Sequence, residues 1–409
     1  MTAVLLVLSF LGFLSIIVED FTKIDKAKST LFFGTLVWVL YFIAPPNGFD
    51  TPQLMHSLNE NLLEIATLWL FLMAAMTFVA YVSHKGVIDG IVNRVMPTQM
   101  SERRLMLITG LFAFFFSSMA DNITATLVCI TVLVSLNLST EKLLRYIVLV
   151  VFAVNSGGAA LITGDVTTLM IFLAGKVKIV DLFLLSLPAL AAVLFLAFML
   201  SRSLQGQVIL VKREIEVAKG DQIIAGLFLA TIIGTIGANM AFAIPPVLSF
   251  LFGLSVMFMA VHFLNKDEPV LEYIRKIEFD TLLFFLGVLL LVGMLKELQV
   301  LEHFPTLYEK LPVVVANYTV GLFSALIDNV PLTAALLKSG IEMTEGQWLT
   351  LIYSAGVGGS LLAIGSAAGV VAMSKIPALS FIAYLRYSAY LLVAYTLGFL
   401  GVALISYLI

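Results

Sequence analysis

The sequence predicts an all-α polytopic membrane protein made of two inverted repeats, each with a re-entrant helical hairpin and a glycine-broken transmembrane helix. Three observations lead there. Hydrophobic residues are 61% of the 409-residue chain and charged residues 12%, with a mean hydropathy of +1.07; a soluble domain has about 45–50% and about 25%. Apolar runs of roughly 20 residues, long enough to cross a bilayer, recur from end to end. Two runs are interrupted by the same polar element: "SSMADNITATLVCI" carries Asp121–Asn122 and "SALIDNVPLTAALL" carries Asp328–Asn329.

In chain order, spans are expected near 1–18, 29–44, 63–83, 144–174, 182–200, 222–240, 245–264, 279–295, 348–374 and 387–408. The first lacks the basic flank and small-residue cleavage site of a signal peptide and is expected to be retained. The runs at 104–137 and 312–337 read as hairpins that enter and leave on one side, because the second is too short for two full spans. The polar stretch 201–221 is expected to be a cytoplasmic linker. The chain then divides into scaffold spans 1–62, a first repeat 63–200, the linker, scaffold spans 222–278, a second repeat 279–374 and a C-terminal span 375–409.

Basic residues test this layout. With the 19–28 loop cytoplasmic and both hairpins re-entrant, only Lys176, Lys178, Lys296, Lys310 and Lys338 of the 23 basic residues fall outside the cytoplasm. That bias follows the positive-inside rule and puts both termini on the non-cytoplasmic side.

The repeat extends beyond the Asp-Asn pairs. "TLWLFLMAAM" from Thr67 parallels "TLLFFLGVLL" from Thr281, and "SGGAALITGDVTTLM" from Ser156 parallels "VGGSLLAIGSAAGVV" from Val357. Gly157, Gly158 and Gly164 match Gly358, Gly359 and Gly365, and Asp165 matches Ser366. An odd number of spans separates the hairpins, so the second repeat is expected upside down. Inverted repeats with broken helices near the midplane characterise secondary transporters.

A carboxylate at membrane depth costs at least ~3 kcal/mol and marks function by default. Asp121, Asp165 and Asp328 are three. No basic residue lies in the hairpin tips or glycine breaks, so these carboxylates are expected to lack an internal cation and to hold either a proton or a hard monovalent ion. Asp121 and Asp328 are expected to approach each other from opposite sides, joined by Asp165. Open helices expose carbonyls only where protein or a watery cavity receives them. Neutral oxygen ligands are sought in Ser117, Ser118, Asn122, Thr124, Asn155, Thr167 and Thr168, in Ser324, Asn329, Thr333, Ser360 and Ser366, and in the opened backbone at Gly157, Gly158, Gly358 and Gly359. Glu64 is a candidate proton relay and His84 a candidate pH sensor. Lys338 and Lys375 are expected to snorkel at span ends.

Other classes lack their parts. Cys129 is the sole cysteine, which excludes a disulfide framework and a thiolate metal site. No basic cluster suits nucleic acid. No G-x-S-x-G, H-E-x-x-H or P-loop appears, so no enzyme and no resident cofactor are expected. A cation channel lined by re-entrant carboxylates is the weaker alternative.

"MADNITATL", "GGAALITGDVTT", "LIDNVPLTAAL" and "GGSLLAIGSAAGV" resemble the NhaD-type sodium/proton antiporters of the ion transporter superfamily, over about Thr67 to Met373. The resemblance implies a homodimer in a bacterial inner membrane, with a scaffold domain and a moving transport domain. It implies that Asp121, Asn122, Asp165, Asp328 and Asn329 bind Na+ or Li+ and couple it to H+. Dicarboxylate and citrate carriers of the same fold have Ser-Asn-Thr at each tip. Aspartate replaces that serine here, and the added charges would repel a carboxylate substrate.

Overall fold

The computed structural model describes residues 1–17, 24–45, 51–95, 97–136, 138–209, 217–265, 268–303, 305–326 and 328–409. The start of the 19–28 loop, through residue 23, and the centre of the linker, 210–216, lie outside the described residues.

The described residues are mainly helical. The elements are α1 (Thr2–Ile17), α2 (Lys26–Ile43), α3 (Thr51–His84), α4 (Val87–Val95), β1 (Gln99–Ser101), α5 (Glu102–Met119), α6 (Asn122–Ser135), α7 (Thr140–Gly158), α8 (Val166–Leu173), α9 (Ile179–Ser201), β2 (Gln207–Ile209), α10 (Lys219–Phe242), α11 (Pro246–Leu264), α12 (Glu272–Arg275), α13 (Phe279–Glu297), α14 (Pro305–Lys310), α15 (Val313–Ser324), α16 (Asn329–Lys338), α17 (Glu345–Gly358), α18 (Ala367–Lys375), α19 (Phe381–Leu385) and α20 (Ser388–Ser406). Among the described residues, seven helices are long and apolar enough to cross a membrane: α2, α3, α9, α10, α11, α13 and α20. The chain is an integral membrane protein.

Both Asp-Asn elements break a helix. α5 ends at Met119 and α6 begins at Asn122; α15 ends at Ser324 and α16 begins at Asn329. The glycine-rich runs also break, between α7 and α8 and between α17 and α18. Lipid cannot satisfy open backbone, so the breaks are buried inside protein: Asn155 through Ala160 and Gly356 through Leu361 are buried throughout.

The two halves make matching contacts. Ser117 Oγ donates to Val154 O (2.8 Å), and Ser324 Oγ donates to Ala355 O (2.6 Å). A Cβ at Gly157 would collide with the carbonyl of Phe114, and one at Gly358 with the carbonyl of Gly321. In each half the hairpin's first arm therefore lies against bare backbone of the broken helix, which only glycine allows.

α3 is longer than expected, starting at Thr51 rather than near 63. Residues 51–62 are polar but rich in Leu, Asn, Gln and Met with Glu60, and mostly helix-tolerant. Leu54 and Asn61 are buried, so packing extends the helix past its apolar run. α4 and the small ribbon were hidden in loops. β1 pairs antiparallel with β2, Met100 opposite Val208, tying the 97–101 loop to the start of the linker.

Ion pairs hold α3 at two levels. At its C-terminal end, Lys85 meets Glu268 (2.6 Å), and Tyr81 donates to Asp221 (2.6 Å). Nearer its middle, Lys338 meets Glu64 (2.8 Å) and bonds Asn61. Glu64 and His84 lie roughly 30 Å apart at 1.5 Å per helical residue. Lys338 is therefore no snorkelling side chain; it is only 9% exposed and tethered to α3.

Candidate cation site

The N-terminal ends of α6, α8, α16 and α18 meet at one cavity of about 240 Å³. Each is capped by the residue singled out in the sequence. Asp121 Oδ1 accepts from Thr124 N (2.8 Å), Asp328 Oδ1 from Val330 N (3.2 Å), Asp165 Oδ1 from Thr167 N (3.4 Å) and Ser366 Oγ from Gly369 N (3.3 Å). Asp suits such N-caps, and four helix N-termini favour the negative charge gathered between them. Thr124 and Thr167 add hydroxyl bonds to Asp121 Oδ2 and Asp165 Oδ2, both 2.6 Å.

Asp121, Asn122, Asn155, Asp165, Asp328, Asn329 and Ser366 all line this cavity. Asn329 Nδ2 donates to Asp165 Oδ2 (3.4 Å), linking the second hairpin to the first broken helix. Asn155 Nδ2 donates to Val151 O (2.7 Å) and Ser366 Oγ (3.1 Å), linking the two breaks. The Asn155 Oδ1 is buried and has no hydrogen-bond partner among the described residues. Asn122, in the amide orientation that satisfies both its polar atoms, donates to Val154 O (3.0 Å) and Gly164 O (3.3 Å).

The other proposed oxygen ligands are occupied elsewhere. Ser117, Ser324 and Ser360 donate to backbone carbonyls of the breaks, Ser118 to Phe115 O, and Thr168 to Ala159 O. They brace the open helices and do not line the cavity. Thr333 is buried, with no hydroxyl partner among the described residues. Gly157, Gly158, Gly358 and Gly359 serve close approach; a Cβ at Gly158 would lie 2.5 Å from the side-chain amide of Asn122. The expected convergence of Asp121, Asp165 and Asp328 is looser than a single cluster. They share a cavity, but among the described residues no three His, Cys, Asp or Glu stand close enough to hold one metal ion.

The expectation that the site lacks an internal cation is corrected. Lys26, the first residue of α2, places its Nζ 3.4 Å from Asp328 Oδ2. Asp25, Glu278 and Asp280 also line the cavity. Sequence alone places Lys26 in the 19–28 loop and singles out none of the other three, because only packing of α2 against α13 brings them in. Glu278 had a signal: in the repeat alignment it stands opposite Glu64, three residues before Thr281 as Glu64 is before Thr67.

A vestibule of about 290 Å³ shares Met76, Asp121 and Glu278 with the cavity and runs to Ser83, His84 and Lys276. His84 thus stands at an entrance. Glu64 lies at the opposite end, in a separate space of about 380 Å³ with Lys338 that shares no lining residue with the central cavity. Beside the entrance, burial works against the Glu268 carboxylate, but hydrogen bonds from Lys85 and Tyr273 outweigh it and hold the group below the usual carboxylate range.

A family model described as citrate transporter matches residues 3–369. The Na(+)/H(+) antiporter NhaD of Vibrio cholerae is 32% identical, over 94% of this chain and 87% of its own length. NhaD of Alkalimonas amylolytica is 33% identical, over 87% and 80%. The sodium/proton antiporter 1 of Arabidopsis thaliana is 31% identical, over 89% of this chain and 65% of its own. Matched over nearly its whole length by this family model and by these relatives, the chain belongs to the NhaD-type antiporters of the citrate transporter family.

Proposed function

We propose that the chain is a secondary-active Na+(Li+)/H+ antiporter that exchanges cytoplasmic sodium for external protons by alternating access. The observation that carries this is the cavity lining: Asp25, Asp121, Asp165, Glu278, Asp280 and Asp328 against Lys26. Such a surface attracts cations and repels anions. Hard monovalent ions and protons both seek these oxygens, and a carboxylate that holds one excludes the other. The orphaned Asn155 Oδ1 supplies a neutral oxygen beside them.

The citrate-transporter family name favours a second reading, uptake of a di- or tricarboxylate. The hairpin tips oppose it. Backbone N–H groups at helix starts are natural anion sites, and here the chain's own Asp121, Asp165 and Asp328 already occupy them.

In this reading residues 63–200 and 279–374 are inverted repeats, with the first hairpin entering from the cytoplasm and the second from outside. The vestibule at His84 is then the cytoplasmic entrance, both termini lie outside, and the protein works as a homodimer in a bacterial inner membrane. Matching contacts in the two halves support the repeat.

The test uses everted membrane vesicles acidified by respiration. Adding Na+ or Li+ should release protons and dequench a pH-sensitive dye. Absence of dequenching, with Na+-driven citrate or succinate uptake instead, would favour the carrier.

A further inference from the structure

Lys26 stands where its chemistry matters. Its Nζ lies 3.4 Å from Asp328 Oδ2, with the two side chains 24% and 14% exposed. It also sits 4.6 Å from the ring centroid of Phe284, a cation–π contact. It lines the same cavity as Asp121 and Asp165.

Its placement is rigid. Asp25 caps α2 by accepting from Ala27 N (2.7 Å). α2 lies backbone to backbone on α13: a Cβ at Gly34 would fall 2.7 Å from Gly287 O. Trp38 Nε1 donates to Leu290 O (3.0 Å) lower down the same seam. The ammonium is thus fixed to the α2–α13 pair, while Asp328 belongs to the second hairpin tip.

We propose that Lys26 is a tethered competitor of the transported cation. Its ammonium neutralises Asp328 when no Na+ is bound and must give way when a monovalent cation binds that carboxylate. This rests on the antiport reading above. Two cations on one carboxylate repel each other, so ion entry and the Lys26–Asp328 pair exclude one another. An Asp328 left bare would carry an uncompensated charge through a low-dielectric barrier on the return leg. The lysine therefore weakens cation affinity and speeds the sodium-free return leg, on which the protons ride on the other cavity carboxylates, Asp121 and Asp165.

The test measures Na+ dependence of exchange in proteoliposomes. Lys26→Gln should lower the apparent KM for Na+ by roughly fivefold or more, the usual scale of coupling between two ligands, and lower the maximal rate. Lys26→Arg, which keeps a positive charge, should hold KM near or above the wild-type value. A purely structural role would lower the rate with KM unchanged, and that result overturns the proposal, as does a raised KM in Lys26→Gln. Folding defects are bypassed with Lys26→Cys. Cys129 is the native cysteine and is buried, so position 26 can be modified in the assembled protein. An aminoethyl methanethiosulfonate adduct, which restores an ammonium, should raise KM relative to the neutral methyl adduct; equal values overturn the proposal. A wild-type chain that exchanges and binds neither Na+ nor Li+ removes both readings, whereas wild-type exchange with KM insensitive to charge at position 26 removes Lys26 alone.

Discussion

The two halves of the site share a backbone plan and differ in charge. In the first half Asp121 takes both bonds from Thr124, its backbone N–H and its hydroxyl, and Asp165 caps the broken helix. In the second, Asp328 takes one bond from Val330 N and faces Lys26, and the broken helix is capped by neutral Ser366. From hairpin tip and broken helix the first half therefore brings two carboxylates to the cavity, and the second brings one, already matched by the ammonium of Lys26 on α2. Repetition builds a container, and the deviations from it decide what the container holds. The sharpest way to break this comparison is to remove the hairpin carboxylates in turn. Asp121→Asn and Asp328→Asn should each reduce vesicle exchange at least ~100-fold, the scale of a lost charged ligand worth about 3 kcal/mol, with membrane expression retained. Exchange surviving in one of them would mean that only the other half binds the ion.

The broken helices should differ more than the hairpins. Asp165 is 8% exposed and is reached by Asn329 from the other half, whereas Ser366 offers a hydroxyl already shared between Gly369 N and Asn155. Asp165→Asn should lower exchange at saturating Na+ by ~10-fold or more, on the same arithmetic of a charged bond. Ser366→Ala should mainly cost about 1 kcal/mol of helix capping, read as a lower unfolding temperature in detergent with KM for Na+ little changed. Equal transport defects would mean that the two breaks are equivalent after all.

How far the sequence led depends on the range of the interaction. Spans, hairpin tips and glycine breaks follow from local composition, and the structure puts helix ends at Asp121, Asp165, Asp328 and Ser366 as the motifs suggest. Lys26 was invisible because it lies 302 residues from Asp328 and reads as an ordinary charge at a span start. Only the Gly34–Gly287 approach, which packs α2 on α13, carries it to the site. Ser117 and Ser324 lie off the cavity lining for a reason that sequence does not show. A hydroxyl near a break suits a ligand and a brace equally in sequence, and hydrogen bonding to Val154 O and Ala355 O identifies the brace.

The smallest effect concerns the two ends of the molecule. At Glu278 the cavity is continuous with the vestibule beside His84, while its repeat counterpart Glu64 is engaged by Lys338 and Asn61 lies against the same lysine. Among the described residues one face carries this pair: the first hairpin has Thr131 where the second has Lys338, and the Thr131 hydroxyl donates to Leu127 O of its own helix. Glu64 is 58% exposed, so water screens the pair and it contributes no more than about 1 kcal/mol to keeping that face shut. A cysteine introduced by Thr67→Cys, in the space over Glu64 and Lys338, reports the difference. Adding Glu64→Gln should speed its labelling by a membrane-impermeant maleimide up to about fivefold, the population change that energy allows. An unchanged rate would mean that apolar packing around Leu289 and Ala334, rather than the ion pair, closes that face.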